Sequence, residues 1–170
     1  MSLTEMRVGN FIESIPVPHE PEKTRYFPAG SLTIGLEYRV FDPVEEAKKL
    51  TAEEIAATGP DSLFHRQDTD QGVSLHVFAT DGLAEYLRFD CFADEPHYHY
   101  IAPERGNMLV HFDEVTNGPM LDWALRVVRT RAPQMLTAIG ADALAASVDA
   151  DLLNAALNEA AEAAQDYATA

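Results

Sequence analysis

The sequence predicts an α+β fold: an antiparallel meander sheet of about five strands, helices packed on one face, and a helical C-terminal third. Three observations carry this prediction. Between residues 33 and 113, apolar residues recur at every second position, the period of a half-buried strand. Short segments containing Gly, Pro, Asp or Asn separate most of these runs, as hairpin turns require. After "TNGP" the apolar residues fall three and four apart, the period of a helix.

The elements follow in order. Residues 1–32 read as a proline-rich N-terminal arm, because "IPVPHEPEKTRYFP" carries Pro16, Pro18, Pro21 and Pro28 and prolines favour extended backbone without ladder donors. Residues 33–170 read as one α+β domain, with the sheet at 33–113 and helices at 119–170. "LTIGLEYRVF" puts Ile34, Leu36, Tyr38 and Val40 on one face, and Gly35, Glu37 and Arg39 on the other. "DPVEEAKKL" opens a helix, with Asp42 as N-cap and Pro43 in the first turn. Thr51 and Glu54 have capping-box spacing for a second short helix that Gly59 stops. Residues 60–72 read as a loop. "GVSLHVFA", "AEYLRFDCF", "PHYHYI" and "NMLVHFD" supply four more strands, and the register of the last is open because both of its faces carry apolar residues. Pro119 opens a substantially buried helix through Trp123 to Arg131, and Pro133 starts a short helix that Gly140 ends. From about Asp149 an Ala-rich helix carries the stripe Leu153, Leu157, Ala160, Ala164 and Tyr167. Its small residues allow close helix approach, within the chain or across a dimer.

Composition removes several function classes. The chain has 170 residues and is 46% hydrophobic, enough for a core without disulfides or structural metal. Its 28 acids against 12 bases give a net charge of −16, which repels phosphate backbones and anionic lipid, so neither nucleic acid nor membrane is an expected partner. Cys91 is the one cysteine, which excludes an internal disulfide and a multi-cysteine zinc site. No apolar leader and no membrane-length run is present, so the expected location is cytoplasmic. The apolar helix surface and the arm predict a homodimer.

Chemistry gathers at "DEPHYHYIAPE". Alternation sends Glu95, His97, His99 and Ile101 to one face, and Tyr98 and Tyr100 to the other. If the histidines share the polar face, Arg88 and Asp90 join them from the preceding strand and His76 from the one before it. His111 and Asp113 come from the following strand, with Leu109 on the same side, and Glu37 and Arg39 from the first. Cys91 falls on the apolar face, where it reads as inert. Two imidazoles and a carboxylate can hold a divalent Zn, Fe or Mn ion with positions left open. The spacing His97-x-His99-x4-Glu104, followed by His111, resembles part of the first metal-binding motif of the cupins. That resemblance implies His97, His99 and Glu104 as metal ligands, with His111 as a fourth; the helices after residue 119 stand where a cupin barrel has strands.

Two readings of function follow from these residues. One is a small ligand-binding or interaction domain that self-associates and takes a small molecule on the face of Arg88, Asp90, His97, His99 and His111. The other is a metal-dependent enzyme in which Asp90, Glu104 or His111 completes the His97–His99 pair. The same histidines beside Asp90 also suit general-base chemistry without metal.

Overall fold

The computed structural model describes residues 11–14, 17–57, 68–102 and 106–168. Seven strands form one antiparallel sheet: β1 (Phe11–Ser14), β2 (Arg25–Ala29), β3 (Leu32–Phe41), β4 (Asp70–Ala79), β5 (Glu85–Phe92), β6 (His97–Ala102) and β7 (Gly106–His111). Their spatial order is β1-β7-β6-β5-β4-β3-β2. The five strands legible in the sequence are β3 to β7, a meander. The two added strands close its edges, and both come from the proline-rich segment. β2 is an edge strand, the position where a proline such as Pro28 costs least ladder bonding. β1 has four residues, too short to show a period.

The helices are α1 (Pro43–Ala47), α2 (Ala52–Ala57), α3 (Glu114–Asn117), α4 (Met120–Ala138), α5 (Asp142–Ala146) and α6 (Ala150–Ala168). Asp42 Oδ1 accepts from the amides of Val44 and Glu45, and Thr51 and Glu54 exchange the two bonds of a capping box. The expected break at Pro133 is absent. α4 runs through it, so Pro133 removes one backbone donor without ending the helix.

α4 packs over β4 and β5, and α6 over β2 and β3. They cover the face lined by Leu32, Ile34, Leu36, Leu75, Val77, Leu87, Phe89, Tyr100, Met108 and Val110. Tyr98 is on this side too: Trp123 of α4 lies against it at 5.2 Å and against Phe112 at 4.8 Å. The small-residue stripe of α6 is spent inside the chain, where Leu153, Leu157, Ala160 and Ala164 are buried. Arg129 ties the helices together by donating to Asn154 and Asn158.

The opposite face is also buried. Between Ser14, paired with Asn107 at one edge, and Arg25, paired with Leu36 at the other, the chain changes sides of the sheet. Residues 17–24 form a strap over the polar face on the way. Arg88 Nη1 donates to the Val17 carbonyl at 2.6 Å, and the Glu20 amide donates to Glu37 Oε2 at 3.1 Å. The His19 ring sits 4.7 Å from that of Phe78. Among the described residues, no helix is long and apolar enough to cross a membrane.

Candidate metal centre

Register decides which side chains meet. Asp90 is the cross-strand partner of His97, and Arg88 of His99. On the other side of β5, Ser74 pairs with Asp90 and His76 with Arg88. The polar face therefore carries one row of Glu37, Ser74, Asp90, His97 and His111, and a second row of Gly35, His76, Arg88, His99 and Leu109. The alternation read from "PHYHY" holds: histidines to this face, tyrosines to the core.

Asp90, His97 and His99 converge. One donor atom from each lies within 4.8 Å of the others. His97 Nε2 is 3.3 Å and His99 Nε2 3.2 Å from the same atom, Asp90 Oδ2. Two donors each about 2.1 Å from one ion, at angles between octahedral and tetrahedral, stand roughly 3.0–3.4 Å apart. The observed separations fall in that range. All three side chains are almost fully buried.

Neighbouring groups fix the orientation of each of these three side chains. His97 Nδ1 lies 2.7 Å from the Glu95 carbonyl, which can only accept, so Nδ1 carries the proton and a neutral His97 turns a bare Nε2 lone pair toward Asp90. His99 Nδ1 donates to Asn107 Oδ1 at 3.0 Å with the same result. The Ser74 hydroxyl donates to Asp90 Oδ1, leaving Oδ2 to face the imidazoles. Burial pushes His99 down to about 4, with Asp90 opposing that shift. Burial would raise Asp90, but His97 and His99, whenever their Nε2 atoms carry a proton toward it, and the Arg88 charge hold it well below the usual carboxylate range. A neutral His99 thus points a lone pair at an ionised oxygen, a repulsive arrangement until a cation or proton lies between them.

The turn that carries the Glu95 carbonyl is itself held. Asp70 accepts from the amides of Asp94 and Glu95 through its two oxygens. A cleft of about 170 Å³ opens there, lined by Phe41, Asp68, Thr69, Asp70, Phe92, Asp94 and Glu95. The Phe92 ring meets the His97 ring edge-on at 5.6 Å, so the cleft ends beside the triad.

The remaining expected site residues fall elsewhere. Arg88 is buried on this face, but Glu85 binds it through both oxygens, at 2.8 and 2.6 Å. His111 is exposed at the end of the row, outside the convergent group. Asp113 is the exposed N-cap of α3. Glu104 lies outside the described residues. Cys91 is on the helix side, and burial pushes its thiol up. Sequence reasoning missed Asn107, Glu85 and His19. Glu85 reaches the polar face because the β4–β5 register shifts between Val77 and Phe78, a bulge that alternation does not reveal.

Residues 26–164, from β2 into α6, match one family model, described as "Domain of unknown function (DUF7700)". No curated protein and no solved structure matches the chain.

Proposed function

This chain belongs to the DUF7700 family, and from its own side chains we propose that it is a metal-dependent ligand-binding protein. It takes one divalent Zn, Fe or Mn ion through Asp90 Oδ2, His97 Nε2 and His99 Nε2. The observation that carries the reading is the convergence of two imidazole lone pairs on one carboxylate oxygen, each imidazole fixed by an acceptor at its other nitrogen. Two nitrogens and one oxygen suit these ions and leave positions for an exogenous ligand. Entry is from the cleft that Phe92 bounds. The bound metal would act as a Lewis acid on an oxygen of that ligand.

The test is elemental analysis of protein made without a histidine tag. We expect about one transition metal per chain, lost in the His97→Ala/His99→Ala pair and in Asp90→Asn, with the helical and strand signal unchanged in circular dichroism. A metal-free wild type that takes up none of the three ions on titration would overturn the reading.

A further inference from the structure

Three polar atoms on this face, outside the triad, are buried without a hydrogen-bond partner: Glu37 Oε1, Arg39 Nη1 and His76 Nε2. They belong to one cluster. Glu37 Oε1 lies 3.1 Å from Arg39 Nε and 3.6 Å from His76 Nε2, the second separation being too long for a hydrogen bond. The three side chains are 1%, 9% and 0% exposed. Buried groups of this kind have partners in native proteins, either protein atoms or a bound molecule. The nearby protein groups are committed elsewhere. Glu37 Oε2 accepts from the Glu20 amide and the Thr24 hydroxyl. His76 Nδ1 faces Glu85 Oε1 at 2.6 Å, and Arg88 is engaged by Glu85 and the Val17 carbonyl. The strap roofs the cluster.

The donor inventory identifies the guest. An ionised Glu37 oxygen can only accept, and Arg39 Nη1 can only donate. A carboxylate, phosphate or halide would satisfy Arg39 and be repelled by Glu37. An ammonium or metal ion would satisfy Glu37 and be repelled by Arg39 and Arg88. A hydroxyl oxygen donates to Glu37 and accepts from Arg39 at one atom, with its second lone pair left for a proton on His76 Nε2. We propose that Glu37, Arg39 and His76 form a second binding site beneath the strap, for one neutral hydroxyl oxygen. Two sources share that chemistry, a water and an alcohol group of a small polyol. The site lies in the neighbourhood of the triad: Ser74 is the cross-strand partner of both Glu37 and Asp90. The polyol source rests on the metal reading.

The experiment uses the full chain loaded with Zn(II), crystallised at high resolution in three arms: no additive, erythritol, and sodium acetate. We expect one oxygen within hydrogen-bond distance of all three atoms. Water in the first two arms assigns the site to solvent, and erythritol in the second assigns it to a ligand; both uphold hydroxyl chemistry. Acetate or chloride on Arg39, or side chains that close on one another with nothing between them, would overturn it. In Arg39→Met the oxygen should vanish while the zinc content stays at that of the wild type. If that variant does not fold, the wild-type arms still decide. Zinc is measured on the same samples, so a chain that carries the oxygen but no metal loses the metal reading and keeps this one.

Discussion

His97 and His99 are useful to a metal only in the tautomer and ring orientation that their outer partners impose. Glu95 supplies a backbone carbonyl, which no substitution at that position removes, whereas Asn107 and Ser74 act through side chains. Ser74→Ala frees Asp90 Oδ1, and Asn107→Ala frees the His99 ring to rotate. We expect each to lower metal affinity about 10- to 100-fold without loss of the fold, as outer-partner changes do in metal sites. Competition with a chromophoric chelator measures this; affinities equal to wild type in both variants would show that the orientation is set some other way. The inward-facing His97 and His99 were legible because a strand has a period of two. Asp90 was legible as a neighbour, since it shares the parity of Arg88. Asn107 was not, because the first half of "NMLVHFD" offers no single polar face. Only the pairing of Ile101 with Asn107 and of His99 with Leu109 places its side chain beside His99.

At the scale of elements, the polar face depends on two places where a side chain is missing. A Cβ at Gly35 would stand 2.6 Å from the Phe78 ring and 3.1 Å from Thr24 Cγ2, so this glycine lets Phe78 and the strap settle on β3. A Cβ at Gly72 would stand 2.2 Å from the Cys91 carbonyl oxygen, which is backbone and cannot swing aside. Gly72→Ala must therefore push β4 and β5 apart next to Asp90. Overpacking a filled interior costs about 1–3 kcal/mol, and backbone contact puts this case at the upper end. Chemical denaturation of the variant should give a lower midpoint, and weaker metal binding should accompany it. An unchanged midpoint would mean that the strands part without cost. The five central strands, the Asp42 and Thr51 caps and the helical C-terminal third could all be read from period and capping chemistry. The continuity of α4 through Pro133 could not, because packing of Val128, Ala132, Met135 and Leu136 outweighs the local preference of proline. Nor could the strap. It has no period, and its bonds run from backbone groups to charged side chains on strands distant in sequence.

On the scale of the whole molecule, one layer is apolar and the other is a buried set of charges, which couples folding to pH. Asp90 is buried and Glu85 partly so, yet Arg88, His76, His97 and His99 hold them below the usual carboxylate range. Groups depressed in this way stabilise the fold above the unfolded value, about 4, and lose that contribution as pH falls below it. His76 behaves in the opposite sense. Glu37 and Glu85 outweigh its burial and raise it, so its contribution is complete below about 6.5 and is lost only on the alkaline side. His99 acts between these limits, and His19 of the strap, lowered by its partial burial, adds to it in the same sense. Burial lowers it to about 4, with His97 and Arg88 adding to the shift and Asp90 opposing it. Below about 6.5 the unfolded chain takes a proton that the metal-free fold refuses, so stability falls as pH drops from about 6.5 to about 4, by about 3 kcal/mol in all. The metal-free protein should then lose stability in two acid stages, first through His99 and then through the carboxylates. Urea midpoints measured across this range on chelator-treated protein test the order. Replacing His99→Gln should remove most of the first stage and leave the Glu85 part of the second, because Arg88 and His76 hold Glu85 down independently of His99. A wild-type midpoint that stays level between pH 6.5 and pH 4 would mean that His99 already carries its proton inside the fold. Its Nε2 would then be a donor to Asp90 Oδ2, with no lone pair to offer a metal.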